Sequence, residues 1–173
     1  MNKRILVVAI AVALLAGSAF AAHKLTKTVT LTDAKGATAG TAVIEQEKQG
    51  VAIHLTVSGL TPGEHAIHFH QKASCIAPDF KSAGGHFNPT GAHHGLNNPA
   101  GPHAGDMANF TVADDGTAKV TVKDERVTLE PGKPNSLYAD GGTALVIHAK
   151  ADDLVSDPAG NAGDRVACAS ITE

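Results

Sequence analysis

From Leu25 onward, apolar and polar residues alternate with a period of two, and no stretch keeps the 3.6-residue period of an amphipathic helix. Leu25, Lys27, Val29 and Leu31 begin the pattern, interleaved with threonines, until DAKGATAG breaks it. Ala42, Ile44 and Gln46 then oppose Val43 and Glu45. Gln49-Gly50 turns the chain into VAIHLTV, whose β-branched residues suit a pleated, half-buried surface. Gly59 and Thr61-Pro62-Gly63 mark the next turn, and EHAIHFH follows as a strand. Phe110 and Val112 alternate up to Asp114-Asp115-Gly116, a hairpin signal, and Ala118, Val120 and Val122 alternate away from it. Residues 126–129 read as a short strand before Pro131-Gly132, ALVIHA at 144–149 as a compact apolar strand, and 166–171 as the last. Seven or eight short strands divided by turn signals predict an all-β sandwich or barrel.

Two segments escape the alternation. Between Gln71 and Asp106, Pro78, Pro89, Pro99, Pro102 and many glycines exclude regular structure. Structureless segments this long inside a domain are functional or disordered. This one carries His86, His93, His94 and His103, with Cys75 near its start, so metal and disulfide are the ties available to order it. The second segment, KADDLVSDPAGNAGDR at 150–165, precedes the final strand.

The beginning of the chain has a different pattern. Lys3 and Arg4 precede an apolar run over 5–15, and Ala19 and Ala21 frame Phe20. This predicts a secretory signal peptide over 1–21, removed to leave a single domain over 22–173. The run is short for a retained span, so the mature protein is expected to have no membrane segment. Export to an oxidising compartment makes a disulfide of the pair Cys75 and Cys168. The formal charge of −3 becomes more negative once Lys3 and Arg4 leave, and Trp is absent. Nucleic acid is therefore excluded as a partner, since it requires basic stripes and stacking platforms. Ten histidines in 173 residues are the anomaly that calls for chemistry.

On a strand, residues i and i+2 project to one side, about 7 Å apart. His68 and His70 can thus converge on one ion while Ile67 and Phe69 pack inward; alone, such a pair is equally a solvent-facing one. In the loop, H-x7-H-x8-H-x2-D gives His86, His94, His103 and Asp106, a complete tetrahedral zinc shell with no open position. Spacing does not choose between His93 and His94. His148, on the same strand face as Val146, is either a core histidine or the fourth imidazole of a site with His68, His70 and a loop histidine. Four nitrogens suit copper.

HFH at 68–70, GGHFNP at 84–89, HHG at 93–95, HAGD at 103–106, LVIHAKADD at 145–153 and GNAGDRVAC at 160–168 together resemble the copper/zinc superoxide dismutases, in their exported bacterial form. The resemblance runs, with gaps, across the whole of 22–173. It implies an eight-stranded Greek-key barrel, a flattened sandwich with two long functional loops. It implies one copper on His68, His70, His86 and His148, and one zinc on His86, His94, His103 and Asp106, with His86 shared. It selects His94 as the histidine just before Gly95. Asp152 is implied to hydrogen-bond a ligand of each metal, Arg165 to guide the superoxide anion to copper, and Cys75–Cys168 to be the disulfide. The implied activity is dismutation of superoxide in the periplasm, with His86 coupling electron to proton, in a monomer or homodimer.

The segment before Arg165 has more acids than bases, with Lys150 its one lysine, so Lys72 and Lys81 are the expected steering charges. His54 is expected on the surface, His93 in solvent, and His23 at the mature end as an adventitious copper ligand; His65 has no assigned role. A periplasmic copper or zinc buffer on the same barrel is the rival class. A hydrolytic zinc enzyme would need an open zinc position, which this loop does not offer.

Overall fold

Every strand of the fold is antiparallel to its neighbours, and the order of pairing curls the sheet round on itself. The computed structural model describes residues 24–173; the expected signal peptide and His23 lie outside them. The strands are β1 (Thr26–Asp33), β2 (Thr38–Gln46), β3 (Val51–Val57), β4 (Gly63–His65), β5 (Ile67–His70), β6 (Phe110–Val112), β7 (Ala118–Asp124), β8 (Thr143–His148) and β9 (Arg165–Ile171). Seven of them pair in the order β5-β8-β9-β1-β2-β3-β7, and β4 pairs with β6. Since β4 and β5 are separated only by Ala66, and a tight turn joins β6 to β7 (Ala113 N–H to the Thr117 carbonyl, 2.9 Å), the two sheets close into one ring. The edge that this leaves on β5 is covered by the long loop rather than bared to solvent.

The alternation expected from the sequence appears as two apolar layers. Leu31, Ile44, Ile53, Leu55, Ile67, Phe69, Leu145, Ile147 and Ala169 face the barrel core. Alternate residues of β8 and β9, namely Ala144, Val146 and Cys168, face outward and are covered by Phe80 and Ala83 of the first loop. This explains why ALVIHA reads as unbroken apolar sequence: its outward face is roofed by loop rather than by water. Among the described residues the helices are two single 3-10 turns, Lys81–Ala83 and Ala139–Gly141.

Two sequence expectations change. The histidine strand is divided at Ala66, whose N–H donates to the Lys150 carbonyl and whose carbonyl accepts from His148 N–H, both at 2.9 Å. Residues 126–129 form no strand; they contribute only the isolated bridge Thr128↔Ser136. The Gln46 side chain draws these groups off the ladder, its Oε1 accepting from Leu129 N–H at 2.7 Å and Thr128 Oγ1 at 2.9 Å.

The free edge of β5 positions the long loop. Phe87 N–H donates to the Phe69 carbonyl (2.8 Å), and Phe69 N–H donates to the Gly105 carbonyl (3.0 Å). Residues of the loop thus stand in for the missing neighbour strand, and His86 comes opposite His70. Cys75 and Cys168 form the disulfide, with Cα atoms 5.7 Å apart, binding the start of the loop to β9. Closing a loop of 93 residues contributes roughly 4–5 kcal/mol in the chain-entropy picture.

Candidate metal centre

The outward face of β5 and β8 and the inner side of the long loop meet in a layer of buried histidines. His68, His70, His86 and His148 form one group and His86, His94, His103 and Asp106 another; within each, the donor atoms lie within 4.8 Å of one another. His86 belongs to both. All seven residues are buried. The structure therefore brings the residues of both sequence-derived sets together in space.

The rings of His68, His70, His86 and His94 each have one nitrogen hydrogen-bonded to a carboxylate or carbonyl and the other turned inward. His70 Nδ1 donates to the Gly84 carbonyl at 2.9 Å, so its Nε2 is turned toward His148 Nε2, 3.4 Å away. His68 Nε2 donates to Asp152 Oδ2 at 2.7 Å, leaving Nδ1. His94 Nε2 donates to Asp152 Oδ1 at 3.0 Å, leaving its Nδ1 3.1 Å from Asp106 Oδ1. His103 Nδ1 lies 3.3 Å from the same oxygen. The buried nitrogens without a hydrogen-bond partner include His68 Nδ1, His86 Nε2, His94 Nδ1 and His103 Nδ1. An unpaired buried polar atom is costly, and four aimed inward together fit cations.

Charge separates the two groups. Burial lowers His86 to about 4, against the opposing pull of Asp106, and His148 to about 3. Burial also holds His70 well below its ordinary value. Neutral imidazole is the metal-binding form, so these three rings are ready for an ion at neutral pH. Burial also acts to lower His94, but its contacts with Asp106 and Asp152 prevail and raise it to about 9. Both carboxylates are held below their usual range, against burial, by these imidazoles and by backbone N–H groups. Two anions here favour a cation, whether proton or metal. The three-imidazole, one-carboxylate set matches a closed zinc shell, and the four-imidazole set matches copper.

Asp152 stands between the groups, bonded to one ring of each. Its backbone is clasped by Asn109, which accepts from Asp152 N–H and donates to the Asp152 carbonyl, both at 2.9 Å. Gly160 lies so close that a Cβ there would collide with Asp152 Oδ1 and His94 Nε2, and its φ of +62° also favours glycine. Arg165 donates to the carbonyls of Phe80 and Gly84, both at 2.7 Å. Its side chain lines a cavity of about 370 Å³ with His70, His86, His148 and residues 156–163 of the second loop. A larger open cleft on its other side includes Lys35, Asp79 and Lys81.

Four residues near the site were not singled out by pattern. His65 Nδ1 lies 2.6 Å from the His148 carbonyl, bracing the end of β8. Asp157 accepts from His94 N–H at 2.6 Å, tying one loop to the other. Asn109 and Arg126 have no motif; Asn109 bonds the Asp152 backbone and Arg126 the Asp106 carbonyl, partners that sequence does not register. His93 is exposed, 3.4 Å from Asp157. His54 is exposed as expected, between Glu45 and Thr121. Lys81 is paired with Asp79 at 3.1 Å rather than free.

A closed antiparallel barrel with two buried, histidine-rich donor groups sharing one ring defines a two-metal β-barrel protein. The copper/zinc superoxide dismutase family model matches residues 38–171. The chain belongs to that enzyme family, which uses copper and zinc. It is 51% identical over 142 residues to superoxide dismutase [Cu-Zn] 2 of Aquifex aeolicus (strain VF5), covering 82% of this chain and 83% of that one. It is 50% identical over 151 residues to superoxide dismutase [Cu-Zn] 1 of the same organism, covering 87% and 89%. The crystal structure of a mutant SOD-like protein from Bacillus subtilis superposes with a TM-score of 0.82 at 38% identity, covering 84% of this chain and 97% of that one. Cu/Zn superoxide dismutase from Brucella abortus gives 0.70 at 27% identity, covering 85% and 99%.

Proposed function

We propose that the protein dismutates superoxide outside the cytoplasm, with copper held by His68, His70, His86 and His148 and zinc by His86, His94, His103 and Asp106. The observation that carries this reading is the membership of His86 in both donor groups. Its Nδ1 faces Asp106 at 2.8 Å while its Nε2 is buried and unpaired. One ring can thus join two ions.

Two superoxide anions and two protons give O2 and H2O2, one anion being oxidised and the other reduced. Copper supplies the one-electron couple when bound, and zinc supplies charge and order without redox change. Arg165 receives the anion in the cavity, its guanidinium aimed by two carbonyls. His86 carries a proton at Nε2 to the reduced product. Asp152 holds His68 and His94 in fixed tautomers, and such outer hydrogen bonds set the aim of ligating rings. The first loop roofs the face of β8, keeping bulk water from the histidine layer. Residues 1–21 direct export to the periplasm, where Cys75–Cys168 persists oxidised.

Metal analysis of the purified 22–173 protein, coupled to a dismutation assay, tests the reading. One copper and one zinc per chain are expected, with activity lost on copper removal and regained on its return. Full dismutation by copper-free protein would overturn it.

A further inference from the structure

We infer that Arg126 is a positioning residue for the zinc group, anchoring Asp106 through the backbone before any metal arrives. The inference rests on the zinc assignment proposed above.

Asp106 is held in several directions at once. Its Oδ2 accepts from the N–H groups of Gly95 and His103, both at 2.9 Å, so Oδ1 alone is turned to the three rings. Its own N–H donates to the His103 carbonyl at 3.3 Å. All these partners belong to the same loop, which β5 holds at the preceding residue, Phe69 N–H donating to the Gly105 carbonyl at 3.0 Å. The peptide carbonyl of Asp106 is different: it accepts from Arg126 Nη2. Arg126 lies two residues beyond the end of β7 and is tied back to that strand by Asp124.

Arg126 is itself fixed on three sides. Its Nη2 lies 3.0 Å from Asp124 Oδ1, and its backbone N–H donates to that oxygen at 3.0 Å. Its carbonyl accepts from Asn135 Nδ2 at 2.7 Å. Asp124 is buried at the end of β7, with Oδ2 unpaired. A buried carboxylate is costly unless paired, and this one is paired with the cation Arg126. Here it directs a guanidinium across the gap between barrel and loop to one carbonyl. Both acceptors are met by the one Nη2 group, whose two N–H bonds are fixed in the guanidinium plane, unlike those of a rotating ammonium.

The anchor needs no metal, and its absence leaves the Asp106 peptide held to the barrel only through the neighbouring Gly105, with more freedom to carry its carboxylate away from the three rings. Zinc binding then has to order what Arg126 ordered beforehand. Removing partners that orient ligands costs about 10–100-fold in metal affinity.

The test compares the 22–173 protein with Arg126→Met, Arg126→Lys and Asp106→Ala, reading zinc affinity by chelator competition and the visible d–d spectrum of Co(II) bound in place of zinc. Arg126→Met is expected to weaken zinc about 10–100-fold and alter the Co(II) bands, with Arg126→Lys intermediate. Zinc affinity and Co(II) bands unchanged in both variants, whatever the change in melting temperature, would overturn the inference. Should Arg126→Met fail to fold, Arg126→Lys decides alone, by a several-fold loss or by none. Asp106→Ala separates this from the parent assignment: it abolishes the Co(II) bands if Asp106 is a ligand, and leaves them intact if the zinc assignment itself is wrong.

Discussion

Arg165 carries much of the distinction between an enzyme and a metal store. Its guanidinium is aimed by the carbonyls of Phe80 and Gly84 and lines the same cavity as His70, His86 and His148 of the proposed copper group, yet it belongs to neither donor group. Arg165→Ile is therefore expected to retain copper and zinc in full while the second-order rate falls about tenfold, the order of a local field's effect on anion capture. A stopped-flow measurement on metal-quantified protein checks this; a rate equal to that of the parent would favour the buffering class. His94 shows the same dependence on neighbours. Pattern alone left His93 equivalent to it, and only one of the two is buried against Asp106 and Asp152, while the other is exposed beside Asp157.

The two loops act as a lid assembled on a strand edge. The first replaces the missing neighbour of β5, and the second lies over it through Asp157 and Asp152. Their junction is tightest at Gly160, where any side chain would displace the carboxylate that joins the two histidine groups. Gly160→Ala is expected to weaken both metals by about 10–100-fold while leaving the barrel's far-UV circular dichroism unchanged. Equilibrium dialysis reads the affinities, and undiminished binding of both would show that Asp152 tolerates displacement. The disulfide belongs to this assembly: it fastens the strand-proximal end of the loop to β9, three residues from Arg165.

The molecule as an object has net negative charge and takes an anionic substrate, so attraction has to be local. The second loop supplies little of it. Lys81 stands on the cleft beside Arg165 but is paired with Asp79, so replacing it leaves that acid unopposed. Lys72→Glu and Lys81→Glu are each expected to lower the rate at low ionic strength, with the difference closing as salt approaches about 0.15 M, where screening acts within about 8 Å. Rates unchanged at low salt in both variants would remove these lysines from the account. The apolar exterior of the described residues is sparse: Leu25, Ile76 and Val155 are the large hydrophobic side chains left exposed.

The barrel and the division into two donor groups came from the resemblance to the copper/zinc superoxide dismutases; period-two alternation and turn residues by themselves predict an all-β sandwich or barrel with two irregular loops, and histidine spacing marks candidate ligands. These are properties of side-chain type and of position along the chain, and a strand maps them directly onto faces. Folding alone decided the rest. It divided the histidine strand at Ala66, drew residues 126–129 away from the ladder through Gln46, and distinguished His94 from His93. It also set Asn109, Asp157 and Arg126 against backbone groups of the metal loops. Every peptide unit offers the same donor and acceptor, so a side chain bound to one carries no mark in the sequence of which it will meet. Only the approach of distant segments selects the partner.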